Sequence, residues 1–302
     1  MRIRIHTRTK SQAGLRVLAG IAAMLCCASL LFAGGPLELF APGVPFAYGP
    51  ITFGLFSGNV PFKTDRGGLG FLTKAQADAL AIGSMAEWTA VPTASLTLAF
   101  AGDITDEFGM PLGVDIDETN FDLVFGVFNG GGIDVVYDET GAIFDALFGP
   151  GSGVVGFGPP EFFYNDVPEI AESIALLNGS FVDPGDVNPF PGASFQGDFT
   201  HEFGHTVGLA HTQTNGANLF FGDNTAPEDC PSPGTATLAD AETMYPLADV
   251  TPAPPGGTSY GRETATIDHP DDETALSELY PEAGYFDLPT ITGTVFASDG
   301  VT

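Results

Sequence analysis

The sequence predicts an α+β fold, a sheet of several short strands accompanied by a few helices. Three observations predict it. Short apolar stretches, alternating or continuous, recur between residues 51 and 182, the pattern of strands in a sheet. Residues 73–88 carry apolar residues at helical spacing instead. The chain also holds 40 Gly and 24 Pro with only 16% charged residues, which favours many turns and short elements over long helices. At 302 residues and 44% hydrophobic content it can bury a substantial core.

In chain order, Arg2, Arg4, Arg8, Lys10 and Arg16 precede the apolar run Val17–Ala33, the layout of a signal peptide over residues 1–33. The run is short for a membrane span, and Gly34, Gly35 and Pro36 break it at once, so export with cleavage is expected over retention as an anchor. Residues 34–48 read as an extended entry segment. ITFGLFSG (51–58) suits a strand. Thr73 can N-cap a helix running to Trp88, with Ala77, Leu80, Ala81, Ser84, Met85 and Trp88 on one face. VPTASLTLAF (91–100) alternates at Leu96, Leu98 and Phe100 and reads as a strand against that helix.

Acidic residues and glycines predict a loop from Ala101 to Thr119, followed by strands at FDLVFGVF (121–128) and IDVVYD (133–138). FGPGSGVVGFGPP (148–160) places a short apolar strand between two turn clusters, and residues 170–182 fit either a strand or a short helix. After a loop at 183–194, a helix is expected to begin near Phe195–Asp198 and to carry HEFGHTVGLAH (201–211). A Gly-, Pro- and Asn-rich insertion then leads to AETMYP (241–246). DHPDDETALSELYP (268–281) predicts a last helix, with Asp271 or Asp272 as N-cap and Ala275, Leu276 and Leu279 buried.

The stretch 201–211 holds three of the chain's five histidines. Positions four apart lie one turn apart on the same side of a helix, so His201 and His205 can offer ring nitrogens to one point. Gly208 permits a turn that other residues resist, which lets His211 swing back as a third ligand. Three ligands leave a fourth position open, the arrangement of a catalytic rather than a structural zinc site. Glu202 is rotated by about 100 degrees from His201, badly placed as a ligand and well placed to hold a water. The expected chemistry is hydrolysis of peptide bonds by a zinc-activated water, with Glu202 as general base.

HExxHxxGxxH followed by a Thr-Met-Tyr-Pro turn resembles the metzincin zinc peptidases, in their matrixin-like branch. The resemblance implies His201, His205 and His211 as metal ligands, Glu202 as catalytic base, and Gly208 and Met244 as structural support of the site. TKAQADALAIGSMAEWTAVPTASLTLAF is similar to the matrixin first helix and following strand, and DDETALSELYP to the closing helix. The implied fold is a metzincin-like twisted mixed β-sheet with an active-site helix and a small C-terminal subdomain carrying a Met-turn, over a catalytic domain at 49–285. The similarity of FGPGSGVVGFGPP to the substrate-binding edge strand of matrixins implies a substrate role for Gly153, Val154, Val155, Gly156, Phe157 and Gly158. One catalytic Zn2+ is implied. A second, structural zinc held by histidines ahead of the active-site helix is not, because the only earlier histidine is His6.

Removing the first 33 residues leaves Lys63, Arg66, Lys74 and Arg262 against all 38 acidic residues. Such a chain is not expected to bind nucleic acid or to hold stably to an anionic membrane after signal cleavage. Its expected partner is a protein or peptide substrate, and its expected place is secreted or extracellular, with cell-surface attachment as a variant. Cys230 is then the sole cysteine and no internal disulfide is available. Asp183, Asp186 and Asn188 are oxygen donors at a spacing that Ca2+ accepts, and Asp134, Asp138 and Glu139 form a second acidic group open to Ca2+; a surface loop is the plainer reading of each. His269 reads as a turn or cap residue. Residues 286–302 read as either a tail or the start of an incomplete β-sandwich module. The rival to an enzyme is a surface adhesion or binding protein on a catalytically inactive metzincin scaffold, against which the intact Glu202 speaks.

Overall fold

The structure is a computed structural model that describes residues 35–49, 59–182, 192–211, 243–244, 266–267 and 270–287. The segments 1–33, 51–58, 183–190 and 288–302, together with Tyr245, Pro246 and His269, lie outside the described residues, and so do the expectations attached to them. No helix among the described residues is long and apolar enough to cross a membrane.

The architecture is mixed α/β, with a mostly parallel six-stranded sheet and four helices among the described residues. In the entry segment, β1 (Leu39–Ala41) and β2 (Val44–Pro45) form a small antiparallel pair. The main sheet holds β3 (Asn59–Thr64), β4 (Thr97–Asp103), β5 (Gly132–Asp138), β6 (Gly156–Phe157), β7 (Pro160–Phe163) and β8 (Ile170–Asn178). Its order is β4-β3-β5-β8-β6, with β7 also paired to β8. Strands β4, β3, β5 and β8 are mutually parallel, while β6 and β7 run antiparallel to β8. The helices are α1 (Lys74–Thr89), α2 (Ala142–Phe148), α3 (Gly192–Thr206) and α4 (Pro270–Leu279).

Helix α1 begins where its sequence places it. Thr73 is the N-cap, and its backbone N–H donates to the Gln76 side chain in a capping box. Ala77, Ala81, Ser84, Met85 and Trp88 form its buried face, with Leu80 half-buried at the margin. That face packs with α3 on one side of the sheet, against Phe62, Ile133, Val135, Tyr137, Ala175 and Leu177. The opposite sides of β5 and β8, at Val136, Ile174 and Leu176, meet a second core built from Ile104, Ile116, Phe121, Val124, Ile143 and Phe144. Both faces of the central strands are therefore covered, which is why all nine residues of β8 are buried. This coverage also decides between strand and helix for residues 170–182: a strand runs to Asn178 and a short 3-10 turn follows.

Several expectations are corrected. Residues 121–128 are not a strand. Phe121–Leu123 form a 3-10 turn, Phe125 N–H donates to the Phe121 carbonyl, and the Phe121 and Phe125 rings stack at 5.0 Å, a one-turn spacing no strand provides. Phe100 is exposed rather than buried because β4 is the edge of the sheet. Strand β4 runs on through Ala101 to Asp103, where a loop is expected. Helix α3 starts at Gly192, earlier than Phe195. Helix α2 has no counterpart in the reading of the sequence; Asp138 makes it possible by accepting from the N–H groups of Gly141 and Phe144. The C-terminal helix begins at Pro270, so Asp271 and Asp272 stand in its first turn instead of at the cap. Its Ala275 and Leu276 belong to the main core, and Leu279 packs half-buried against it.

Candidate metal centre

Helix α3 presents two faces to two tasks. Phe195, Phe199 and Phe203 succeed one another at four-residue spacing, with ring centroids 5.8 Å apart at each step, and are fully buried in the main core. His201 and His205 share the same spacing on another face, and both are buried. The helix is fixed against α1 by Trp88, whose indole N–H donates to the Thr200 carbonyl at 2.8 Å. Close approach needs a residue without a side chain at Gly204: a Cβ there would collide with Met244 Sδ and stand 2.8 Å from Trp88 Cζ2.

After Thr206 the chain turns at Gly208, whose φ of +95° lies in the left-handed region. The turn is tied by Leu209 N–H to the Gly204 carbonyl at 2.9 Å. The entry segment locks it from outside: Leu37 N–H donates to the Gly208 carbonyl at 2.6 Å and Ala210 N–H to the Gly35 carbonyl at 2.8 Å. His211 is thereby brought back over the helix. Its Nε2 lies 3.2 Å from His201 Nε2 and 3.0 Å from His205 Nε2.

The three imidazoles form the one group of three or more metal-type ligands among the described residues, with their ligand atoms all within 4.8 Å of one another. Their chemistry fits a metal ion. His201 Nδ1 lies 2.7 Å from the Thr243 carbonyl and His205 Nδ1 2.7 Å from the Leu209 carbonyl. A carbonyl only accepts, so each Nδ1 carries the proton and each Nε2 turns a lone pair inward. Two nitrogens about 2.05 Å from a tetrahedral ion stand about 3.3 Å apart, close to the separations seen here.

Glu202 is 7% exposed. Strand β6 lies directly against it: a Cβ on Gly156 would collide with the Glu202 side chain, reaching 2.6 Å from Oε1, and a Cβ on Gly158 would collide with its carbonyl oxygen. Both glycines belong to the segment singled out for substrate binding, and Gly156 and Phe157 are the strand itself. Val154 and Val155 anchor the approach to it through their carbonyls, which accept from Asn178 Nδ2 and Asn178 N–H, each at 2.9 Å. Gly153 turns the chain with φ +75°. Among the described residues no strand pairs with the outer edge of β6.

Met244 is fully buried beneath α3. What holds it there was not legible in the sequence. The Asp272 carboxylate accepts from Thr243 N–H at 2.7 Å and from Met244 N–H at 3.3 Å. The run PDDETALSEL reads as an acidic helix start, and nothing in it marks Asp272 as the buried member of the pair.

The acidic group Asp134, Asp138 and Glu139 is not gathered as a calcium site. Asp134 faces Lys63 Nζ at 3.7 Å and receives Asn129 Nδ2 at 3.3 Å, while Asp138 caps α2. Neighbouring Glu172 accepts from the N–H groups of Asn129 and Gly131. Burial pushes Glu172 up to about 7 and Asp134 up to about 6, with Lys63 opposing the rise in both. Neither a known family model nor a curated protein matches the chain.

Proposed function

We propose that the protein is a secreted zinc-dependent metalloendopeptidase of metzincin type, in the matrixin-like branch. One observation carries the reading: three imidazoles on a helix and the turn after it converge to metal-ligand spacing, with a buried glutamate next to the first of them. His201, His205 and His211 would hold one Zn2+, which supplies Lewis acidity that makes water nucleophilic near neutral pH.

The chain's own residues do the rest. Glu202 is the general base, taking a proton from the attacking water and delivering it to the leaving amine. Gly156 and Gly158, having no side chains, let the backbone of β6 and of the residue just after it pack directly against Glu202. The outer edge of β6, with which no strand among the described residues pairs, suits an extended substrate, whose backbone would add to the sheet as a further strand. Thr243 and Leu209 hold the two helix histidines in the tautomer that keeps Nε2 available. The N-terminal charge pattern and apolar run support export, and the acidic excess supports a protein or peptide substrate over nucleic acid.

The test is metal analysis of the purified chain combined with a casein or gelatin assay, with and without chelator. One equivalent of zinc, cleavage lost on chelation, and a Glu202→Gln variant that keeps zinc but is inactive are the expected results. Zinc without any cleavage in the wild-type chain would instead favour a binding protein on an inactive scaffold.

A further inference from the structure

We propose that the segment TITGTVFA (290–297) docks along the outer edge of β4 as a parallel strand and covers the apolar groove between β4 and α1. The groove holds about 240 Å³ and is lined chiefly by Phe62, Leu98 and Phe100 from the sheet and by Ile82, Ala86 and Thr89 from α1. Ile82 and Phe100 remain 42% and 44% exposed. No strand among the described residues pairs with the outer edge of β4. Edge strands are ordinarily protected by charges, proline, a bulge or a covering element. From Thr97 to Phe100, β4 pairs with β3 without a register shift, and its sequence TLAFAG brings neither charge nor proline before Asp103. Of those protections, a cover is the one left for this stretch.

The chain after α4 is tied down where β4 begins. Ser95 N–H donates to the Tyr280 carbonyl at 2.7 Å and Glu282 N–H to the Thr93 carbonyl at 3.0 Å, with Pro281 opposite Ala94 in an antiparallel bridge. Residues 93–95 lead into β4 at Thr97, so residues 280–282 run against the direction of that strand. Gly284, at φ +88°, and a 3-10 turn at Tyr285–Asp287 follow at once. A reversal at this turn would carry the next residues back along β4, parallel to it as β3 is. Residues 288–302 span up to about 50 Å when extended, against about 23 Å for the seven residues of β4. Length is therefore ample.

The segment has the chemistry the groove asks for. It carries no charge in a chain with 38 acidic residues, and Thr290, Ile291, Thr292, Thr294 and Val295 are β-branched, the type that strands favour. Alternation puts Ile291 and Val295 on one face, with Gly293 between them, and the threonines on the other together with Phe296. The spacing matches as well. Leu98 N–H donates to Thr89 Oγ1 at 3.0 Å, so the groove runs from Thr89 back along α1 to Ile82, a rise of about 10 Å on a helix. Ile291 and Val295 stand about 13 Å apart on a strand. Ile291 then meets the groove near Thr89 and Leu98, and Val295 meets it near Ile82 and Phe100.

The experiment uses the whole chain after residue 33 with Cys230→Ser, which leaves no native thiol. Ile82→Cys is combined in turn with Ile291→Cys, Val295→Cys and, as the opposite-face control, Thr294→Cys, and each pair is oxidised in dilute solution. An internal disulfide in the monomer is expected with Val295→Cys, and none with Thr294→Cys. Disulfides that form solely between two molecules would assign the groove to a second copy and overturn the proposal, as would equal yield at all three positions or none at any. Amide hydrogen exchange gives the second readout. With Ile291→Asp and Val295→Asp together, residues 97–103 should lose protection while α3 and β8 keep theirs. Exchange of β4 equal to that of the unmodified chain would leave its edge uncovered by this segment and sink the pairing.

Discussion

Asp272 reaches His201 through Thr243. The carboxylate of Asp272 takes the Thr243 N–H at 2.7 Å, and the Thr243 carbonyl stands 2.7 Å from His201 Nδ1. A residue of the last helix therefore orients the first of the three imidazoles, and it does so from full burial. Asp272→Ala leaves two backbone donors buried and is expected to cost about 2–4 kcal/mol of stability. Zinc affinity should fall about 10- to 100-fold, as for other groups that orient metal-bound histidines. Urea unfolding and competition with a zinc chelator measure the two effects, and an affinity equal to wild type would remove Asp272 from the centre.

Gly156→Ala places a methyl group where the Glu202 side chain now lies. Since β6 is held to β8 at Leu177 and Leu176, Glu202 is the partner that must give. Cleavage should drop about 100-fold, the scale on which a small misplacement costs rate, while bound zinc stays at the wild-type level. Loss of zinc with activity would mean that the change acts on the histidines instead.

Gly208→Ala combines φ +95° with a Cβ 3.1 Å from the Phe46 carbonyl. A left-handed alanine costs about 1–2 kcal/mol, and the strain falls on the turn that returns His211. Lower stability with weaker zinc binding is expected. Unchanged metal affinity after dialysis would show that His211 reaches its place without this turn.

Glu172→Gln tests the buried polar cluster of the second face. Glu172 rises to about 7 in the fold from an ordinary value of 4.5, so between those values the folded state holds a proton that the unfolded chain releases. Its contribution is complete below the unfolded value and is lost as pH rises through about 7. Glutamine imitates the protonated form at every pH. Relative to this variant, the wild type should therefore lose about 2 kcal/mol between pH 5 and pH 8. Denaturant unfolding at matched zinc content reads the difference, and a pH-independent gap would place the cost of burial elsewhere.

What the sequence disclosed depended on how local the cause was. The α1 boundaries and buried face follow from Thr73, Gln76 and a helical repeat within sixteen residues, and the histidine set lies within one helix and its exit turn. Strand β5 is an apolar run whose type needed no context. Residues 121–128 carry an equally apolar run, yet Gly126 at φ +72° and the Phe121–Phe125 stack send it into turns. Tertiary cover, not periodicity, separates the two. Asp272 and Thr243 lie far apart in the chain, and only the fold brings them into contact.

Lysine and arginine are scarce after residue 33, and the three that the structure describes, Lys63, Arg66 and Lys74, gather at the carboxyl end of β3. Lys63 is buried with its ammonium on the Asn129 carbonyl, and Lys74 sits in the first turn of α1 with its head group bound on several sides. Only Arg66 is exposed. To an enzyme that cuts after basic residues, the described part of this fold presents a single accessible bond, so the cations that balance its interior also leave it little to be digested by.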